Sequence, residues 1–423
     1  MSQLLVTGAT TAEGVRGDLF IAHGVFADPR EAGPGVERID ADGLIALPGL
    51  VDLHTHLREP GREDAETIAT GTLAAARGGF TCVHAMANTD PVTDTAEAAE
   101  YVAGLGGREG HCQVVPVGAV TKNLAGHELA ELGLMAMSRA RVRVFSDDGR
   151  CVDDSLLMRR ALTYVKPFDG VIAQHAQDPR LAGPGACCHE SELSGRLGLP
   201  GWPAQAESVV IARDVQLTEL AGSRLHVCHV STAEGVEVIR WAKRRGIRVT
   251  AEATPHHLLL DTSFVAGFDT TFKVNPPLRT DEHIEAIREA LADGTIDTVG
   301  TDHAPHARQD KDHPFEVALP GMLGLEQALA VVMEVMVTPG RMDWPTLVAR
   351  MSTTPAEIGR VVGQGRPIAI GEPANLVLVD PSARAVVDRD ASASRSRNNP
   401  YHGRDLPDPV VATVWAGRVT YRR

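Results

Sequence analysis

The stretch Gly49-Leu-Val-Asp-Leu-His-Thr-His-Leu-Arg58 is an apolar run that ends in two histidines one residue apart, followed at once by an arginine. Residues 51–53 read as a buried strand. Side chains two apart on a strand share a face, so His54 and His56 point the same way at its end and can share one metal ion. Paired histidines also occur as ordinary polar residues, so the rest of the chain has to supply the remaining ligands.

Outward from this stretch, strand-like runs alternate with helical segments from about residue 48 to residue 365, which argues for parallel strands with crossover helices. Eight candidate strands stand out, at 51–53, 81–86, 113–120, 142–145, 171–173, 225–228, 248–251 and 298–301. Helix-like stretches separate most of them, for example 65–77, 207–221, 233–245 and 282–292. The natural result is an α/β chain whose centre is a closed, metal-dependent (β/α)8 TIM-like barrel. Short strand-like pieces near 4–6 and 19–22 match others at 374–380 and 410–421, so both chain ends are expected to build one small composite β-sandwich domain. The division is 1–48, 49–365 for the catalytic barrel, and 366–423. The polar tract 388–399 reads as a surface loop.

Composition narrows the function. Acidic residues outnumber basic ones, 55 to 41, for a net charge of −14, which argues against general affinity for nucleic acid or anionic membrane. An anionic substrate would need its own local positive charges. The six cysteines are scattered without C-x-x-C spacing and read as reduced, mainly structural thiols. Vicinal Cys187 and Cys188 diverge and lack a second pair, so they do not read as a metal site. No signal segment opens the chain and no apolar run reaches membrane-spanning length, so a cytoplasmic protein is expected.

In such a barrel, functional groups project from the C-terminal ends of the strands. Here the first strand ends in His54 and His56, the fourth in Asp147-Asp148, the fifth in His175, the sixth in His229 and the eighth in Asp302. Singly, each could be a hydrogen-bonded rim residue or a helix cap. Jointly they suit two borderline cations, most naturally zinc. His54, His56 and Asp302 would hold one, His175 and His229 the other, and one aspartate of Phe145-Ser-Asp-Asp-Gly149 would bridge them. Such a pair supplies a bridging hydroxide at neutral pH.

The chain resembles the amidohydrolases and, within them, the class I bacterial dihydroorotases, over nearly its whole length. The resemblance rests on Gly49 to Gly61, Ala85-Met-Ala-Asn-Thr89, Phe145-Ser-Asp-Asp-Gly149, His226-Val-Cys-His-Val-Ser231, Pro255-His-His257, Lys273-Val-Asn-Pro-Pro-Leu-Arg279 and Gly300-Thr-Asp-His-Ala-Pro-His306. It implies the metal ligands His54, His56, Asp148, His175, His229 and Asp302, with Asp148 as the bridge because its distance from His175 matches the family's bridging aspartate. It implies the reversible cyclisation of N-carbamoyl-L-aspartate to L-dihydroorotate in pyrimidine (UMP) biosynthesis, with a metal-bridged hydroxide as nucleophile and Asp302 as general acid and base. Arg58 would clamp the substrate carboxylate. His56, Asn88, Asn275, His306, Pro320 and Gly321 would complete the substrate contacts. The charged segment 307–313 reads as a loop able to close over substrate, and His256 and His257 as packing or supporting residues.

Two departures stand out: Ala87 replaces a common proline before Asn88, and Pro320 replaces an aromatic, removing an N–H. A dihydropyrimidinase, hydantoinase or allantoinase is the nearest alternative. Those relatives bridge their metals with a carboxylated lysine on the fourth strand, and 142–148 contains none. An inactive scaffold for aspartate transcarbamoylase is the other, but such chains lose ligands and this one keeps all six. Aspartate transcarbamoylase as a partner and assembly into a homo-oligomer are also expected.

Overall fold

The computed structural model describes residues 3–423, so the first two residues of the expected 1–48 unit lie outside the described residues. Two parallel sheets carry the middle of the chain. One pairs Leu50–Thr55 with Phe80–Ala85 and the latter with Gln113–Pro116. The other runs from Val144–Phe145 through Val171–Gln174, Leu225–Val227 and Val249–Ala253 to Thr298–Val299. Isolated parallel bridges join their edges, Gly118 to Phe145 and Thr55 to His303.

All eight expected strands are present, and the helices between them start where short polar side chains can take up free N–H groups. Thr67 caps Ile68–Arg77, Thr95 caps Ala96–Glu109, Asp154 caps Ser155–Val165 and Thr232 caps Ala233–Arg244. The first helix begins three residues later than expected from 65–77 because Thr67 caps it. The main apolar core lies between strands and helices, with Ile172, Leu225 and Val249 packed with Ile211, Val215 and Ile239. A second cluster gathers Leu53, Met86, Val117, Val144, Val171, Ala173 and Cys228, from strands or the residues just beyond them, with Ile358 from the Thr354–Gly359 helix.

The first strand is not a regular pleat. Its pairing slips between Asp52 and Thr55, so three steps there face two on the neighbour, Val83 to Ala85. Leu53 joins the second apolar cluster while the next residue, His54, joins the functional site, a placement regular alternation would forbid. The two histidines converge with the help of this irregularity.

Strands from both chain ends pair with each other. Ile45–Pro48 pairs antiparallel with Leu376–Val379, placing Leu47 opposite Val377 and Ala46 opposite Leu378. Eight of the ten terminal strands form one hydrogen-bonded sheet instead of two facing sheets, and the other two, Arg384–Val386 and Asp405–Pro407, pair with each other. That sheet curls around a small core of Leu4, Val6, Ile21, Phe26, Leu376, Leu378 and Val414. Its remote ends touch: a Cβ on Gly417 would lie 2.7 Å from the Gly24 backbone, so both turns need glycine.

The tract 388–399 departs from the surface-loop expectation. Ser394, Ser396, Asn398 and Asn399 are buried, while Asp388, Asp390, Arg395 and Arg397 are exposed. The buried members are small and polar, and each finds hydrogen bonds within the protein, so low hydrophobicity concealed an inward-facing set.

Candidate metal centre

His54, His56 and Asp148 offer three ligand atoms within 4.8 Å of one another, and Asp148, His175 and His229 offer a second such set. Asp148 belongs to both. Its Oδ1 lies 3.1 Å from His229 Nε2, 3.4 Å from His175 Nδ1 and 3.4 Å from His54 Nε2, and its Oδ2 lies 3.2 Å from His56 Nε2. Asp302 Oδ1 stands 3.2 Å from His56 Nε2 and 3.6 Å from His54 Nε2. All six expected ligands thus converge, although they come from five strands. Asp147 turns away, accepting the N–H groups of Val120 and Thr121 and the Thr121 hydroxyl.

The nitrogens behave as ligands. His54 donates from Nδ1 to Glu252 Oε1 at 2.6 Å, which leaves Nε2 fully buried without a hydrogen bond. His56 donates from Nδ1 to Asn88 Oδ1 at 2.8 Å, and His175 from Nε2 to Gln177 Oε1 at 2.8 Å. His175 Nδ1 then faces His229 Nε2 at 2.9 Å with its N–H already spent elsewhere. Convergent lone pairs without protons to share are what a cation requires, so the residues present fit a metal pair.

The buried carboxylates draw positive charge into the cluster, a cation or a proton on His54. Burial disfavours charge on His54, but the carboxylates of Asp148 and Glu252 outweigh it and raise its pKa. Burial would raise Asp302, but its contact with His56 and the nearby His54 and His229 bring it down to about 2. Asp302 is therefore ionised at neutral pH.

Backbone shape delivers these groups. His229 (φ 34°) and Asp302 (φ 45°) occupy the left-handed region just past strand ends, and so does Arg58 (φ 62°). Each such residue costs about 1–3 kcal/mol, and these three border the cluster. Asp52 fastens the first strand to the last: Oδ1 accepts the N–H of His54 and of Thr301, and Oδ2 the Thr301 hydroxyl at 2.5 Å.

The expected substrate residues border the cluster. Arg58 is half-buried, donates from Nε to the Pro305 carbonyl at 3.0 Å, and has no ion-pair partner among the described residues. It is not the surface ion pair that a lone arginine would suggest. His306 donates from Nε2 to the Pro320 carbonyl at 2.8 Å, and burial together with the nearby Arg58 and Lys311 charges lowers its pKa well below the usual value. Asn275 donates to Gln177, and its Oδ1 is buried without a partner. The Gly321 N–H is bonded to Lys273 O, and a Cβ at this φ of +147° would lie 2.7 Å from His306 Nε2.

The segment after His306 is a short helix, Arg308–Lys311, and it is fastened. Asp310 pairs with Arg62 at 2.6 Å, and Lys311 Nζ reaches the carbonyls of Lys273, Leu319 and Gly321. Sequence reasoning missed Asp52, Glu252, Gln177 and Asn398. A carboxylate inside an apolar strand was the available signal for Asp52 and Glu252. Asn398 accepts the His306 N–H and donates to the Ala304 and Gly321 carbonyls, contacts its polar neighbourhood hid.

Comparisons with known proteins agree with this geometry. A family model described as dihydro-orotase-like matches residues 43–235. The dihydroorotase of Streptomyces coelicolor is 57% identical over 99% of this chain and 98% of its own. That of Leifsonia xyli subsp. xyli is 58% identical over 98% and 95%. Among solved structures, the L-hydantoinase (dihydropyrimidinase) of Arthrobacter aurescens shares the fold with a TM-score of 0.88, covering 100% of this chain and 96% of its own at 24% identity. With more than half of its residues shared across nearly full-length relatives, the chain belongs to the dihydroorotase family of the amidohydrolases.

Proposed function

We propose that this protein is a dihydroorotase that interconverts N-carbamoyl-L-aspartate and L-dihydroorotate on a pair of zinc ions in a closed (β/α)8 barrel. The supporting observation is the sharing of Asp148 between two three-ligand sets. In this reading His54, His56 and Asp302 hold one ion, His175 and His229 the other, and Asp148 both; imidazole and carboxylate donors suit zinc. The ions would supply a nucleophile at neutral pH and polarise the scissile carbonyl.

The protein's own groups do the rest. Arg58, free of any carboxylate, offers its remaining guanidinium N–H groups to the substrate carboxylate. Asn88 spends Oδ1 on His56 and keeps its NH2 for substrate, while the unpartnered Asn275 Oδ1 can accept a ring N–H. His306 stays neutral and is held against Pro320, so the substrate contacts at 320 and 321 act as one unit with it. In hydrolysis the ionised Asp302 takes the proton released as water adds to the ring amide. It returns that proton to the departing nitrogen as the C–N bond breaks, and in cyclisation the steps reverse.

A lysine-bridged site has no support here. Lys166 lies beyond the fourth crossover helix, with Nζ on the Ala221 carbonyl. All six cysteines are free, which fits the expected cytoplasm, and no helix of the described residues is long and apolar enough to cross a membrane. The units 1–48, 49–365 and 366–423, the homo-oligomer and the aspartate transcarbamoylase partner belong to the same proposal. The test is a turnover panel of dihydroorotate, dihydrouracil, hydantoin and allantoin, with zinc counted per chain. Preference for dihydroorotate with two zincs is expected; preference for an uncharged ring, or a zinc-free inactive chain, would overturn the assignment.

A further inference from the structure

Glu252, on Val249–Ala253, is completely buried, and its carboxylate lies among His54, His226 and His229. Its Oε1 accepts His54 Nδ1–H at 2.6 Å and the backbone N–H of His229 at 3.3 Å. Its Oε2 accepts from His226 Nε2 at 3.1 Å, and His226 Nδ1 in turn meets the Thr250 hydroxyl at 2.9 Å. Space is reserved for the carboxylate: a Cβ on Gly300 would lie 2.3 Å from Oε2. A buried carboxylate is costly unless every oxygen is paired, and here the donors are one proposed ligand, the backbone of another, and a histidine three residues before the second.

The orienting partners of the ligands are unequal. His56 is held by the neutral amide of Asn88 and His175 by the neutral amide of Gln177, whereas His54 alone is held by a full negative charge. A carboxylate behind an imidazole fixes its tautomer and strengthens its lone pair, and losing such a partner commonly costs 10–100-fold in metal affinity. An ion pair alone does not explain the arrangement. His54 Nε2 makes no hydrogen bond although Asp148 Oδ1 lies 3.4 Å away, and the neutral ring presents a lone pair there toward the ligand atoms of Asp148 and His56.

We propose that Glu252 is a positioning residue of the metal centre that makes the ion held by His54 and His56 the more tightly bound of the two. The inference rests on the two-zinc reading above. Glu252→Gln is nearly isosteric: the amide oxygen still accepts from His54, and the amide NH2 can donate to His226 once that ring changes tautomer. Only the charge is lost.

The test is zinc content per chain, measured after dialysis of the holoenzyme against chelator-buffered zinc over a range of free concentrations. Wild type is expected to lose its ions in two separated steps. In E252Q the tighter step should weaken by about 10–100-fold and approach the other. The melting temperature of the metal-free protein should stay unchanged, and turnover should return in excess zinc. Gln177→Glu, which gives His175 a charged partner, should tighten the weaker step.

Unaltered zinc release in E252Q, or a metal-free E252Q that melts lower and is not rescued by zinc, overturns the inference and leaves the two-zinc reading standing. If E252Q does not fold, Q177E decides, and a weaker step that does not tighten overturns it. A wild-type chain that holds no zinc overturns both.

Discussion

Arg58 shows how much one residue can carry. Its φ of 62° turns the chain sharply after His56, and the Pro305 carbonyl fixes its Nε, so the guanidinium faces the cluster without a carboxylate to neutralise it. Arg58→Lys keeps the charge but loses the fork. The KM for dihydroorotate should rise about 10–100-fold, or 1.4–2.8 kcal/mol, with little change for dihydrouracil, as read by steady-state kinetics. An equal loss on both substrates would remove the carboxylate clamp. Gly321→Ala tests the neighbouring contact. The added methyl at φ +147° would press on His306 Nε2 and the Ala304 Cβ, a strain of about 1–3 kcal/mol, so KM should rise about tenfold while zinc content holds. The six clustered residues were legible in the sequence because each sits at the C-terminal end of a strand or within three residues of it. Glu252 and Asp52 were not, because their partners lie 198 and 249 residues away and only folding brings them together.

At the scale of elements, Glu66 ties three of them to the site. It precedes the Ile68–Arg77 helix and accepts from the Thr70 and Ser394 hydroxyls, from the Arg395 N–H at 2.9 Å and from His303 at 3.3 Å. The His303 carbonyl in turn accepts the His56 N–H at 2.8 Å. Burial alone would raise the Glu66 pKa, but the pairing with His303 and the hydroxyl donors lower it. A depressed carboxylate stabilises the fold above its unfolded pKa, near 4.5, and that stability is lost as pH falls through the folded value. Glu66→Gln should therefore cost about 1–3 kcal/mol at pH 7, and its melting-temperature gap from wild type should narrow progressively below pH 4.5. A gap that stays constant down to pH 3 would show that the charge contributes nothing. The strands around Glu66 were readable from hydrophobic runs alone. The 388–399 segment was not, since serine and asparagine are buried there by hydrogen bonds that leave no mark in an apolar pattern.

The whole molecule is joined through a strand that serves two cores. Leu376 and Leu378 face the small core of the terminal sheet, while Val377 and Val379 pack into the main core beside Leu47 and Leu50. Tyr401, Leu406 and Val410 enter the main core as well, and Asn398 and Ser394 hold His306 and Glu66. The sequence shows strands at both ends, but not that the last of them complete the central unit, because an alternating pattern does not say which core each face meets. A chain ending at Gly365 would expose the edge of Ile45–Pro48, strip these side chains from the main core and free the substrate loop. It should lack a cooperative thermal transition, bind a hydrophobic dye and turn over no dihydroorotate, even though all six proposed ligands remain. Calorimetry with dye fluorescence reads the outcome. A sharp transition and native near-ultraviolet dichroism in the shortened chain would mean that residues 49–365 fold independently, and that the terminal sheet is an attachment and not a wall of the central core.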